Sequence, residues 1–250
     1  MDKTAVKLLR LYEHLCRADA PLGVSALAAK LKLTKSNAHR ILRTLTGLGY
    51  AQQGDDGRYA PTLKAWELGT LVFNRIDFVQ VAKPYLTQLN ATTGESSFLA
   101  TLNGMSVVYL DVLESRYPIR IRSVVGGTAP AHCSASGKLL LAFNPPVAEE
   151  YLAKPLEKYT QRTLTKRADV ERTLEQVRRS GISINDEEWV EGVCGICAPV
   201  HTANRQGAAA IGITALKERV NRAKMKKLTE LIAGIGREVS QKLGYRNTAR

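Results

Sequence analysis

The stretch from residue 22 to residue 60 constrains the fold of this 250-residue chain more than any other. Ser25 carries the hydroxyl that a helix N-cap uses, and the apolar run after it predicts a short helix through Leu31. Lys32 and Leu33 then make a turn, with Leu33 filling the space before the next helix. The stretch therefore begins as two short helices joined by a tight turn.

The second helix is predicted from Lys35 to about Leu48, with Thr34 as its N-cap. At about 100° per residue, its polar and basic residues fall opposite or beside a single apolar face. Gly49 suits the left-handed conformation in which helices commonly end. The apolar face recurs at i, i+3, i+4 and i+7 and consists of Ala38, Ile41, Leu42 and Leu45.

A hairpin is predicted directly after this helix. Short polar-apolar runs at 50–53 and 58–60 flank Gly54–Gly57, whose composition is a strong turn signal. Two helices, a turn and a hairpin in this order are typical of a winged helix-turn-helix, which places its second helix in the DNA major groove. The alternative is a small helical subdomain whose basic face is only solvated.

The exposed face of the second helix supplies most of the predicted DNA contacts. Polar and guanidinium groups there can reach base edges and phosphates. Arg58, at the base of the wing, is expected to contact a phosphate rather than a base. The predicted set is Lys35, Ser36, Asn37, His39, Arg40, Arg43 and Arg58.

The charge balance also favours a polyanionic partner. The chain has a formal net charge of +13, and residues 1–75 hold 12 Lys and Arg against 6 Asp and Glu. The net positive charge density of this N-terminal part is about twice that of the remainder. Electrostatics therefore predicts a polyanion at the N-terminal third, without sequence specificity.

The composition is that of an ordinary soluble globular protein, with 44% hydrophobic and 24% charged residues. No apolar run approaches the roughly 20 residues that a membrane-spanning helix needs. Charges throughout residues 1–19 predict an amphipathic helix rather than a signal peptide. The four cysteines show no paired framework, which fits a reducing cytoplasm, and a cytoplasmic location is expected.

The rest of the chain predicts a larger second domain. An apolar helix leaving the hairpin is expected to pack on a partner chain or on that second domain. The element predictions are a helix at 77–89, a hairpin at Asn103-Gly104, a third strand at 119–125 and a terminal helix at 216–243. The fold class is therefore α+β, with a winged helix-turn-helix over 1–61, a linker helix over 62–75 and an antiparallel-sheet domain over 76–250.

Four blocks at these spacings resemble the IclR family of bacterial transcriptional regulators along nearly the whole chain. They are the stretch 22–60, AHCSASGKLLLA at 131–142, GISINDEEWVEGVCGICAPV at 181–200 and AAAIGITAL at 208–216. The resemblance implies a GAF-like domain that binds a small effector, commonly an organic acid, and neither an enzymatic activity nor a cofactor. It also implies homodimers, often dimers of dimers, on a palindromic or repeated DNA operator.

The family's pocket positions imply an effector site at matching residues of this chain. Asn185, Gly195 and Gly212 depart from the residues usual there, as do Cys197 and Thr202. Glycine at 195 and 212 removes side-chain volume, so we expect a roomy pocket that suits an aromatic or longer-chain acid better than a two-carbon acid. The implied positions are Ala135, Ser136, Asn185, Gly195, Gly212 and Thr214.

The loop before residue 134 has a chemical logic of its own. Gly127 and its neighbours allow the backbone to approach a ligand closely, and Gly127 and Thr128 join the predicted effector site. Ser134 and Ser136 lie at a helix N-terminus, where free amides and the dipole favour an anion. The alternative is a plain N-cap beside a glycine turn. Arg120 and Arg122 could clamp a carboxylate or line a solvated strand face.

Three cysteines keep a second hypothesis open, a DNA-targeted enzyme or a redox or metal sensor. Cys194 and Cys197 form a CxxC pair, but the pair runs into a predicted strand rather than opening a helix. Cys133 beside His132 has the residue types of a nucleophile and a base, although neighbours on an extended segment point apart. No metal site is expected from these residues.

Two other motifs are weak. Gly137-Lys138 lacks the remaining positions of a phosphate-binding loop. The acidic run from Asp186 to Glu191 could suggest paired carboxylates or a metal site, but a charged loop at an interface or over the pocket is the commoner reading.

Overall fold

The computed structural model describes residues 2–73, 77–119 and 123–245. It divides into two compact units, one up to residue 76 and one from residue 77. Within these described ranges, no helix is both long and apolar enough to span a membrane. Each unit has its own hydrophobic core.

The first unit is a three-helix cluster followed by a two-stranded hairpin and a fourth helix. Leu11, Leu27 and Leu42, one from each of the first three helices, are fully buried together. The two strands are antiparallel, with Gln53 paired to Tyr59 across the turn. Its elements are α1 (Lys3–Cys16), α2 (Val24–Lys30), α3 (Lys35–Gly47), β1 (Ala51–Gln53), β2 (Tyr59–Pro61) and α4 (Lys64–Phe73).

Local signals set most of these helix ends. Thr34 Oγ1 accepts the Asn37 amide at 3.3 Å, and Gly49 has φ 75°, as predicted. The predicted cap at Ser25 is wrong: α2 begins at Val24 because the Gly23 carbonyl already accepts the Leu27 amide at 3.2 Å. Ser25 therefore lies inside the first turn.

The second unit is built on a six-stranded antiparallel sheet of order β5-β4-β3-β8-β7-β6. Its strands are β3 (Ser96–Asn103), β4 (Ser106–Leu113), β5 (Thr128–Ala129), β6 (Ser183–Asp186), β7 (Val193–Thr202) and β8 (Arg205–Leu216). Its helices are α5 (Asp77–Thr93), α6 (Ala135–Ala142), α7 (Pro145–Leu152), α8 (Arg167–Ser180) and α9 (Arg222–Lys242).

The strand alternation divides the sheet between two helical layers. On one face Ser97 Oγ donates to the Leu86 carbonyl of α5 at 2.9 Å, and α9 lies against β7. On the other face Phe98 and Ala100 pack with α6 and α8. The predicted α+β class, a helix-turn-helix unit plus an antiparallel-sheet unit, is confirmed.

Three element predictions need correction. The strand at the β5 edge of the sheet is Thr128–Ala129. Residues 120–122 of the predicted strand 119–125, which include Arg120 and Arg122, lie outside the described residues. α5 continues past residue 89 to Thr93 and ends at Gly94, whose φ is 73° and whose amide donates to the Asn90 carbonyl at 2.9 Å. α9 begins at Arg222 instead of residue 216, because Asn221 caps it.

Candidate nucleic-acid interface and ligand cavity

The outer face of α3 presents the predicted DNA contacts. Ala38, Leu42 and their apolar neighbours bury the opposite face. Asn37 is half-buried, next to the Thr34 cap. Of the predicted contacts on this helix, the exposed ones are Lys35, Ser36, His39, Arg40 and Arg43.

The wing carries its cation at the base of the turn. Arg58 is exposed, and its Nε lies 3.6 Å from Asp56 Oδ2. Its backbone N–H donates to Asp56 Oδ1 at 3.0 Å, so Asp56 shapes the turn as well as offsetting the charge. An exposed pair of this kind is weak, so a phosphate can compete for the guanidinium group.

The second unit contains a cavity of about 270 Å³. It lies between the N-terminal turn of α6, the sheet and the loop after β6. Predicted effector residues that line it are Gly127, Thr128, Ala135, Ser136, Asn185, Gly195 and Thr214. The structure thus brings together residues that are up to 87 positions apart in the chain.

Gly212 is not among the lining residues, and its predicted contribution to a roomier pocket needs correction. A Cβ added there would lie 2.1 Å from the Ile196 carbonyl oxygen and 2.6 Å from Cys197 Cβ. The missing side chain therefore makes room for β7. At Gly195 an added Cβ would lie 3.3 Å from Ala135 Cβ, so that glycine lets α6 approach the sheet.

The N-terminal turn of α6 supplies the polar chemistry of the cavity. Ser134 caps the helix by accepting the Gly137 amide at 3.1 Å, and its Oγ donates to the Pro130 carbonyl at 2.6 Å. Ser136 Oγ is buried and faces the Tyr109 hydroxyl, whose pKa burial raises and this serine partly lowers, but it makes no close hydrogen bond within the described part of the chain. A buried hydroxyl without a partner costs free energy, and a ligand acceptor would satisfy it.

The cavity is lined by neutral groups. No Asp, Glu, His, Lys or Arg appears among its described lining residues. Burial raises the pKa of Tyr109 to about 12, so its hydroxyl is a neutral donor. Asn185 Oδ1 accepts the Glu188 amide at 2.8 Å, which leaves Nδ2 as the donor of that side chain. An anion here would rely on these donors and on the helix dipole.

Sequence reasoning missed the aromatic walls, Phe98, Tyr109 and Trp189. Phe98 and Tyr109 make an edge-to-face contact with ring centroids 5.5 Å apart. The period-two alternation of β3 and β4 could have placed both on a buried face. Their meeting opposite α6 depends on the sheet register, which no local signal encodes.

The acidic run forms a pinned loop over the cavity rather than a set of free carboxylates. Thr160 Oγ1 donates to the Glu187 carbonyl at 2.7 Å, and Thr163 Oγ1 donates to the Glu188 carbonyl at 2.6 Å. Glu188 pairs with the buried Lys138 of α6. These contacts hold the segment that carries Trp189 into the cavity wall.

The surroundings of Cys133, Cys194 and Cys197 do not favour redox or nucleophilic chemistry. Burial raises the pKa of Cys133 to about 12 and that of Cys194 to about 11, and it raises the pKa of Cys197 as well. Thiols of this kind stay protonated and unreactive. Cys194 and Cys197 are three residues apart on β7, so they face opposite sides of the sheet.

His132 is held by two hydrogen bonds on a buried segment. Its Nδ1 lies 3.0 Å from the Tyr151 hydroxyl, and its Nε2 lies 2.9 Å from the Glu157 carbonyl. Both ring nitrogens are therefore engaged away from Cys133, and burial lowers the pKa of His132. The pair has the geometry of a structural core rather than of a nucleophile and its base.

A winged helix-turn-helix joined to a sheet domain with a buried cavity defines a ligand-binding transcriptional regulator. Two family models match the chain: "IclR helix-turn-helix domain" over residues 4–55 and "Bacterial transcriptional regulator IclR C-terminal" over residues 70–241. The chain belongs to the IclR family of bacterial transcriptional regulators.

Individual relatives agree with this membership. The chain is 32% identical to the glycerol operon regulatory protein of Streptomyces coelicolor over 244 residues, 96% of this chain and 94% of that protein. The Thermotoga maritima IclR crystal structure has a TM-score of 0.77 and 27% identity, covering 97% of this chain and 99% of that one.

A Microbacterium hydrocarbonoxydans IclR homologue, solved in complex with 4-hydroxybenzoate, shares the fold, with a TM-score of 0.85 at 23% identity. The superposition covers 97% of this chain and 99% of that one. The family is one of DNA-binding regulators and is non-enzymatic, so the enzyme hypothesis is set aside.

Proposed function

We propose that this protein represses a catabolic operon and that a small organic acid in the α6 cavity controls its affinity for DNA. The observation that carries the ligand half is Ser136 Oγ, a buried hydroxyl at a helix N-terminus that lines a cavity and makes no close hydrogen bond in the described residues. Carboxylates bind well at such positions because amides and dipole point at them. The name of the Streptomyces relative supports control of an operon.

The aromatic walls argue for the kind of acid. Phe98, Tyr109 and Trp189 offer flat apolar surfaces, whereas a two-carbon acid would leave them uncovered. The volume of about 270 Å³ is slightly below the range of drug-sized sites, roughly 300–1,000 Å³. An aromatic or medium-chain monocarboxylate therefore fits best, and the bound 4-hydroxybenzoate of the Microbacterium homologue supports this class.

The DNA half of the proposal assigns operator contacts to α3 and the wing. The bases are read by the exposed α3 side chains, and Arg58 contacts a phosphate. The working protein is a homodimer or a dimer of dimers on a palindromic or repeated operator, located in the bacterial cytoplasm. Trp66 and Leu71 of α4 support self-association, because they are 68% and 58% exposed.

The domain assignment follows from this function. Residues 1–61 read the operator, the linker helix 62–75 transmits the change, and residues 76–250 hold the effector. A ligand can shift DNA affinity only by binding two arrangements of the protein with different affinity. The linker helix is the segment through which such arrangements would differ.

Substitutions in α3 test the DNA half. Arg40→Ala and Arg43→Ala should each weaken binding to a fragment that the wild-type protein selects from a random DNA pool. Each lost base contact is expected to cost about 1–3 kcal/mol. Titration by electrophoretic mobility shift, against a scrambled fragment, separates specific from non-specific binding.

Arg172→Ala is the matched control, because it removes the same charge from an exposed position on α8 in the other unit. Unchanged discrimination between selected and scrambled DNA in both α3 variants would refute the placement of the recognition helix. An equal loss of DNA affinity in the control would mean that net charge, and not the position of the arginines, explains the effect.

A further inference from the structure

A second, larger groove of about 580 Å³ lies elsewhere in the sheet unit and shares no lining residue with the effector cavity. Its walls are the C-terminal end of α8, the last residues of β7 and the C-terminal half of α9. Three arginines line it, Arg178, Arg179 and Arg237, whereas no Asp or Glu is among its described lining residues. The groove is therefore a concentration of positive charge without an internal counter-charge.

The three arginines are differently engaged. Arg178 Nε donates to the Ala142 carbonyl at 2.8 Å, which fixes the stem and leaves its terminal nitrogens for another acceptor. Arg179 pairs with Glu175 one turn earlier, an exposed i,i+4 pair of low strength. Arg237 is exposed, and no salt bridge joins it to another residue of the described ranges.

His201 adds an oriented neutral donor. The Gly207 amide donates to its Nδ1 at 2.7 Å, which places the ring proton on Nε2. The ring is held by Phe143 and Tyr245, with centroids 5.3 Å and 4.5 Å away. Burial lowers the pKa of His201, so near neutral pH the ring is an uncharged N–H donor in the groove wall.

The groove does not suit an added peptide strand. β6 pairs with β7 only as far as Cys197, which leaves the edge of β7 open beyond that residue. Pro199 has no amide hydrogen there, and the His201 amide already donates to Ser240 Oγ at 2.9 Å. An extended chain would find no amide donors in this edge, so recognition must come from the side chains.

We propose that this groove binds a small multivalent oxyanion, a polycarboxylate or a phosphate ester, as a second ligand of the protein. Planar guanidinium groups pair with carboxylate and phosphate oxygens two at a time, and several arginines favour a ligand with more than one negative charge. The site is independent of the effector cavity, so it stands whether or not an organic acid binds beside Ser136.

Isothermal titration of the full-length protein with citrate, inorganic phosphate and acetate at matched ionic strength tests this assignment. We expect saturable binding of citrate or phosphate and none of acetate. The comparison of citrate with phosphate tells a polycarboxylate site from a phosphate site. Arg237→Gln should raise the dissociation constant of the bound anion by about tenfold or more, the effect of one lost charge-assisted hydrogen bond.

Arg222→Gln is the matched control, because it removes the same charge from the same helix outside the groove. Equal weakening in both variants, or no saturable binding of either multivalent anion to the wild type, overturns the proposal. A change in the sedimentation coefficient of anion-free Arg237→Gln would also overturn it, because the groove would then be a subunit contact.

Discussion

Lys138 is an ammonium group removed almost completely from water, with its side chain 2% exposed. Its Nζ donates to the Ile184 carbonyl at 2.7 Å and to the Glu188 carboxylate. These bonds join α6, which offers Ser136 to the cavity, to the loop that offers Trp189. Burying such a pair is costly, but its bonds connect these two walls of the cavity.

Removing the cation alone should therefore be severe. Lys138→Met leaves the Glu188 carboxylate buried without its partner, and we expect the free energy of unfolding to fall by about 3–5 kcal/mol. The double variant Lys138→Met, Glu188→Gln should recover part of the loss, because the uncompensated charge is gone. Urea denaturation followed by circular dichroism measures both.

Arg162→Gln is the comparison for this pair, because Arg162 joins the same loop through half-exposed contacts to Asp186 and Glu187. Its loss should cost no more than about 1 kcal/mol. If Lys138→Met were no worse than Arg162→Gln, the ion pair would not be what holds the loop to α6.

At the scale of elements, α9 shows how closely a helix can lie on the sheet. Gly236 faces β7, and an added Cβ would lie 2.8 Å from Ala198 Cβ and 3.0 Å from the Pro199 carbonyl oxygen. Gly234 lies two residues earlier, and a Cβ there would meet only the end of the Arg237 side chain at 4.0 Å. The two glycines thus separate helix propensity from helix-sheet packing.

Alanine at the two positions should act in opposite directions. Gly234→Ala is expected to stabilise the unit by up to about 1 kcal/mol through helix propensity. Gly236→Ala should destabilise it by about 1–3 kcal/mol, because the helix must move away from the sheet. Thermal unfolding measured in parallel decides, and a gain at Gly236 would show that α9 does not need this close approach.

The sequence predicts best those elements that are determined by neighbouring residues. Thr34, Gly49 and the apolar spacing in α3 place the helix-turn-helix, since caps and periodicity act within a few residues. The predicted cap at Ser25 and the predicted start of α9 near residue 216 are wrong, because Gly23 and Asn221 are the N-cap residues of those helices. The short edge strand at 128–129 has no periodic signal of its own.

The cavity was predictable only in part. The α6 N-terminus and the residues given by the family resemblance line one cavity, apart from Gly212, and their role in binding an effector stays a prediction. Phe98, Tyr109 and Trp189 could not be placed, because sheet register and loop pinning decide which side chains share a cavity. Cys197, beneath Gly212, shows the same limit: the space left by a glycine can belong to a neighbouring strand.

At the scale of the whole molecule, one chain carries two chemically different surfaces. The outer face of α3 is cationic and exposed, whereas the α6 cavity is neutral, aromatic and buried. Linkage requires that an acid which changes operator affinity be bound with a different affinity when the operator is present. Coupling factors of about 5–150 are typical of such proteins.

Control of DNA binding by the cavity is tested most directly by measuring operator affinity with and without the acid proposed to bind beside Ser136. The acid is first chosen by thermal shift from a panel running from acetate to benzoates. We expect an aromatic or medium-chain acid to stabilise the protein and to weaken operator binding, measured by fluorescence anisotropy. Stabilisation by the two-carbon acids alone would contradict the assignment of the aromatic walls.

The same titration is then repeated with Ser136→Ala and with Ser183→Ala. Ser183 is the matched control, since its Oγ is also buried without a partner in the described residues but does not line the cavity. Ser136→Ala should raise the acid concentration for half-maximal operator release by about tenfold or more, whereas Ser183→Ala should leave it unchanged. An unaltered half-maximal concentration in Ser136→Ala, or operator affinity indifferent to every stabilising acid, would contradict the account.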